Sequence, residues 1–144
     1  MEAIQLDGDI LHGLLKKVAP AAHKHLVKQG IEPILYMTEW FLCAFARTLP
    51  WPTVMRVWDM FMCEGVKVLF RVALVLVRAS LTREVRKACP SMYETLDVLK
   101  NLPERVTEEH FLVEQVVKLE LKEEVMEREH RKQLARRRAL KNGA

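Results

Sequence analysis

Between Val66 and Leu81 the chain reads VKVLFRVALVLVRASL, apolar on nearly every side. A helix with that pattern belongs where other helices surround it. Its most apolar part, Val66 to Val77, holds Lys67 and Arg71 and is too short to span a bilayer. The rest of the sequence supplies helices to enclose it. Only five glycines and six prolines occur in 144 residues, and β-branched residues show no sustained alternation. The expected fold is therefore all-α, an irregular multi-helix array built as one domain.

The prolines mark helix starts, because a missing N–H is tolerated in the first turn. A first helix is expected from about Asp9 to Val18, with Ile10, Leu11, Leu14 and Leu15 inward. Pro20 opens a second, which Gly30 stops. After Pro33 a third runs from Tyr36 to Thr48, where Met37, Trp40, Phe41, Ala44, Phe45 and Thr48 recur at three- and four-residue steps. Pro52 and Thr53 start a fourth, with Val54, Val57, Trp58, Phe61 and Met62 inward and Gly65 as its stop. A polar stretch follows Leu81. Pro90 introduces a helix carrying Met92, Tyr93, Leu96, Leu99 and Leu102. Thr107, ahead of Glu108 and Glu109, is the expected cap of a helix with Phe111, Leu112, Val116 and Val117 inward.

Charge divides the chain. Residues 119–144 hold eight Lys or Arg against five Glu, whereas residues 1–118 hold 15 basic against 14 acidic. We expect a near-neutral domain over 1–118 and a charged helical tail over 119–144. In the tail Glu124 and Arg128, and Glu127 and Arg131, stand in the favourable i,i+4 order. The cluster Arg136, Arg137, Arg138 and Lys141 lacks the interleaved aromatics that stack bases, so no nucleic-acid partner is expected. It reads as a solvated helix end. No integral membrane segment is expected.

Candidate chemistry is sparse. Cys43, Cys63 and Cys89 are widely spaced, form no C-x-x-C pair and suit a reducing compartment. The first residues lack the basic and apolar regions of a signal peptide, so a cytoplasmic location is expected. His23 and His25 point apart on a helix. With His12 they could converge, but no Cys or carboxylate spacing supports a metal site. No catalytic, cofactor-binding or metal-binding residue is assigned. The aromatic stripe Trp40, Phe41 and Phe45 reads as core. Arg56, Asp59, Glu64, Lys67 and Arg71 interrupt the most apolar region, and such charges persist near a core when paired. Arg56 and Asp59, three apart on one helix, can pair, and the group reads as a structural ion-pair network linking two helices.

Two stretches resemble the later half of TBC (Tre-2/Bub2/Cdc16) domains, the Rab GTPase-activating proteins. One runs from Ile31 to Pro50, where an aromatic helix ends in Leu-Pro. The other is Val54 to Leu74, with Arg-Val-Trp-Asp and then Glu-Gly-Val-Lys-Val-Leu-Phe-Arg. The matching signature positions are Trp40, Phe41, Pro50, Arg56, Trp58, Asp59, Glu64, Gly65 and Arg71, read as architectural. Leu35 to Phe41 and Glu2 to Asp7 look closest to the subgroup that includes carabin.

The resemblance implies an all-α domain whose partner is a Rab-type small GTPase. In the family an Arg and a Gln enter the GTPase site, from I-x-x-D-x-x-R and Y-x-Q motifs. The Arg neutralises developing charge, and the Gln positions the attacking water. Here Ile4, Asp7 and then Ile10 replace the first motif, while Tyr36 and Tyr93 are followed two residues on by Thr38 and Thr95. The expectation is a C-terminal part-domain without fingers, weak or inactive alone and not an enzyme in its own right. It needs no cofactor, since GTP and Mg would be held by the GTPase. The alternative is a non-catalytic helical interaction module, with possible self-association through an uncovered apolar face.

Overall fold

The computed structural model describes residues 2–143. Among them ten helices and no strand form: α1 (Glu2–Val18), α2 (Pro20–Lys28), α3 (Ile34–Leu42), α4 (Trp51–Glu64), α5 (Lys67–Ser80), α6 (Arg83–Ala88), α7 (Met92–Lys100), α8 (Glu104–Thr107), α9 (Glu109–Lys118) and α10 (Glu123–Asn142). The family-like all-α architecture is thus present. The apolar segment becomes α5, which buries ten of its fourteen residues and packs against α1, α3, α4, α7, α8 and α9.

Helix ends follow from local chemistry. At the end of α2, Gly30 takes φ +70°, and the N–H of Ile31 reaches the Leu26 carbonyl at 2.9 Å. That arrangement satisfies orphan carbonyls with a left-handed residue, for which glycine carries no Cβ penalty. Gly65 ends α4 with φ +83°. Glu94 accepts from the Ser91 N–H at 3.2 Å, closing a capping box before α7.

Several boundaries differ from those expected. The first helix begins at Glu2, well before Asp9. The third stops at Leu42 rather than Thr48, because Ala44 (φ +45°) and Phe45 (φ +65°) turn left-handed. The Phe45 N–H donates to the Trp40 carbonyl at 2.8 Å, and the two rings meet at 5.9 Å. This is the hydrogen-bonding pattern of the Gly30 terminus built without glycine, and ring contact offsets the strain. The stretch after Leu81 contains α6, with the Thr82 hydroxyl accepting from the Val85 N–H. Glu108, not Thr107, caps α9, accepting from the N–H groups of His110 at 3.0 Å and Phe111 at 2.9 Å. Thr107 is buried instead, and its carbonyl accepts from the Thr53 hydroxyl at 2.7 Å.

Trp58, Met62 and Val117, expected inside, are exposed, as are Met92 and Tyr93 of the helix after Pro90. Their helices each bury one face, and these residues flank it.

The charged segment 123–142 lies along α1. Met126 joins the core, while Glu129 and Gln133 are buried against α1. Gly13 permits this approach: a Cβ there would stand 1.8 Å from the Glu129 carboxylate oxygen.

Candidate functional site

The signature positions gather on α3, α4, α5 and the turn between α3 and α4. Trp40 is buried between Tyr36, at 5.4 Å, and Phe45. Phe41 meets Phe70 of α5 edge to face at 5.1 Å. Pro50 precedes α4 in extended conformation, where its lack of an N–H costs nothing. Trp58 is partly exposed, and its indole N–H donates to the Ala44 carbonyl at 2.9 Å. That bond satisfies a carbonyl left over from the left-handed turn, so the two tryptophans brace one corner from inside and outside.

The charged positions tie helices together. Arg56 does not pair with Asp59; it reaches across to Glu109 of α9 at 3.1 Å. Asp59 and Glu64 are exposed. Arg71 donates to the Leu121 carbonyl, and Lys67, one turn earlier, faces Glu123 at 3.1 Å and Glu127 at 3.8 Å. The two cations that break the apolar run thus anchor the start of α10. Glu127 faces Lys67 rather than Arg131. Partly exposed pairs like these contribute at most about 1 kcal/mol each.

Among the described residues no group of three or more His, Cys, Asp or Glu comes together as a metal site. His25 leaves the other histidines and bonds Thr95 at 3.0 Å, whereas the rings of His12 and His23 meet at 4.3 Å. Burial lowers the pKa of all three imidazoles, with further lowering by neighbouring cationic or imidazole groups. Cys43 is half-buried and Cys63 exposed. Cys89 is buried, and burial raises its thiol pKa, which disfavours the nucleophilic thiolate. No helix among the described residues is long and apolar enough to cross a membrane.

The residues standing where an Arg or a Gln would complete the I-x-x-D-x-x-R and Y-x-Q motifs are also placed. Ile10 is buried in the core. The Thr38 hydroxyl donates to the Ile34 carbonyl at 2.5 Å, within its own helix. Thr95 is buried, donating to Gln29 at 2.5 Å. None of the three presents a cationic or amide group to a partner.

The sequence reading missed the long-range partners, Glu109, Leu121 and Thr107. A helical wheel identifies which face is apolar but not which distant residue lies across it.

Comparison with known proteins agrees with the architecture. A family model described as the Rab-GTPase-TBC domain matches residues 1–84. "TBC1 domain family member 10A" of Mus musculus is 58% identical over 137 residues, covering 94% of this chain and 27% of that protein. "TBC1 domain family member whacked" of Drosophila melanogaster is 51% identical over 138 residues, 95% of this chain and 38% of that protein. Carabin of Mus musculus is 48% identical over 136 residues, 94% of this chain and 31% of its own length. The chain therefore spans well under half the length of each of these relatives.

Proposed function

Because this chain belongs to the Rab-GTPase-TBC domain family, we propose that it acts as the C-terminal part of a GTPase-activating domain for Rab-type small GTPases. In this reading residues 1–118 form the domain part, and 119–144 form a charged helical extension that α1 and α5 hold in place. The chain is not an enzyme by itself; GTP and Mg belong to the GTPase. Its working location is the cytoplasm, peripheral to membranes through that GTPase. One observation carries the proposal. The residues from Trp40 to Arg71 that resemble the family's signature support it, while neither finger motif occurs and Ile10, Thr38 and Thr95 supply no Arg or Gln in its place.

The test is single-turnover GTP hydrolysis across a panel of Rab-type GTPases with this chain added. We expect rates within about 2-fold of the intrinsic ones, since lacking an arginine finger forfeits about 10³- to 10⁵-fold. Strong stimulation by the unassisted chain would contradict the proposal.

A second reading, as an interaction module, rests on α4. Trp51, Met55, Trp58 and Met62 follow one another at steps of four, three and four residues, so they share one helix face. They are 64%, 44%, 37% and 80% exposed. A second copy is the proposed occupant. Two tryptophans and two methionines on each side would bury on the order of 1,000 Å² in total, near the lower bound for a specific interface. Sedimentation velocity should show a dimer at tens of micromolar concentration, and Met62→Glu should return it to a monomer. A monomeric wild-type chain at that concentration would overturn this reading.

A further inference from the structure

A cleft of about 620 Å³ opens between α1, α2 and α10, and none of the signature residues lines it. Lys16 and Lys17 line it from α1, His23 from α2, and Lys132 and Arg136 from α10, with His12 beside them. Two carboxylates also line it, and both are already engaged. Asp9 pairs with Arg137 at 2.7 Å. Glu129 is buried, accepts from Gln133 at 2.8 Å and faces Lys17 at 3.5 Å. Lys16, Lys132 and Arg136 pair with no carboxylate among the described residues. Three cations from two helices, 116 residues apart at the closest, thus line one cleft with no ion-pair partner of their own among the described residues.

We propose that this cleft binds a compact ligand carrying two or more phosphate groups.

Alternative explanations account for only part of the cluster. Lys16 and Lys17 occupy the last turn of α1, where cations complement the helix dipole. That reason does not extend to Lys132 and Arg136, which face them from the middle of α10. Unneutralised like charges repel, and an anion converts that repulsion into attraction. His12 and His23 strengthen the assignment. Their rings touch at 4.3 Å, and the buried Nδ1 of His12 has no hydrogen-bond partner. A buried polar atom without a partner costs free energy unless something supplies a bond. Burial, and for His23 also Lys16, holds these imidazoles towards the neutral form in the free chain, and a bound anion would favour protonation, after which both nitrogens can donate to phosphate oxygens.

The lining also limits the ligand. No Trp, Tyr or Phe lines the cleft, so there is no stacking platform for a base and a nucleotide is disfavoured. High charge in a small volume fits a multiply phosphorylated small molecule or lipid headgroup.

Isothermal titration calorimetry with inositol trisphosphate tests the site. We expect one-to-one binding, weakened about 10- to 100-fold in the Lys132→Ala/Arg136→Ala double variant, which removes two charge-assisted contacts. Both side chains are exposed, so the fold should be kept, and a thermal melt checks this. The control Arg138→Ala/Lys118→Ala removes two exposed cations outside the cleft and should leave affinity within about 2-fold. Ligand should also raise the NMR titration midpoints of His12 and His23, but not that of His110. A flotation arm separates the sources. Binding to phosphatidylcholine vesicles containing phosphatidylinositol bisphosphate, but not to vesicles of equal charge made with phosphatidylserine, assigns a lipid headgroup. Binding of the soluble probe alone assigns a free phosphate ligand. The proposal is overturned if wild type does not bind the soluble probe or if both double variants weaken binding equally. It is also overturned if His12 and His23 do not respond, or if phosphatidylserine vesicles bind as well.

Discussion

Trp40→Ala should lower the unfolding free energy by about 3–5 kcal/mol, the range for deleting a buried aromatic side chain. Trp40 is 2% exposed and touches Tyr36 and Phe45, so the truncation leaves a cavity that these rings cannot easily close. It also removes the ring contact that holds Phe45 left-handed, exposing the strain of that turn. A domain of this size has about 5–15 kcal/mol in hand. The loss should therefore appear as a large fall in the urea midpoint. Trp58→Phe is the informative companion. Trp58 is partly exposed, and its indole N–H makes one bond, to the Ala44 carbonyl. Its loss should cost about 1 kcal/mol or less. If the two substitutions cost the same, the division into an inner and an outer brace is wrong.

The comparison of these two tryptophans shows what the sequence could reveal. Apolar periodicity identified the helices and the central position of α5, because a sixteen-residue run that is apolar all round has few other places to go. Gly30 and Gly65 marked helix ends by their backbone freedom. The end of α3 gave no such signal. Ala44 and Phe45 adopt left-handed conformations that their side chains disfavour, and tertiary contacts with Trp40 and Trp58 hold them there. Periodicity runs through that break without registering it.

The same limit applies to partners. Arg56 had Asp59 within reach on its own helix, yet Glu109 on α9 lies closer to its guanidinium. The cationic cleft unites residues near 16 with residues near 132, so neither group looked unusual alone. Met62 and Val117 lie beside buried stripes, and a wheel cannot tell a buried flank from a bare one. By contrast, whether I-x-x-D-x-x-R and Y-x-Q occur is read from the sequence directly, and neither does.

The most direct test joins this chain to a finger-bearing segment. A fusion preceded by a family member's residues containing I-x-x-D-x-x-R and Y-x-Q should accelerate single-turnover GTP hydrolysis by a cognate Rab-type GTPase about 10³- to 10⁵-fold. Replacing the motif arginine in that fusion by alanine should remove most of the gain, and the unfused chain should give none. A folded fusion that leaves the GTPase at its intrinsic rate, or an unfused chain that accelerates it, would contradict the account of this chain as a scaffold awaiting its fingers.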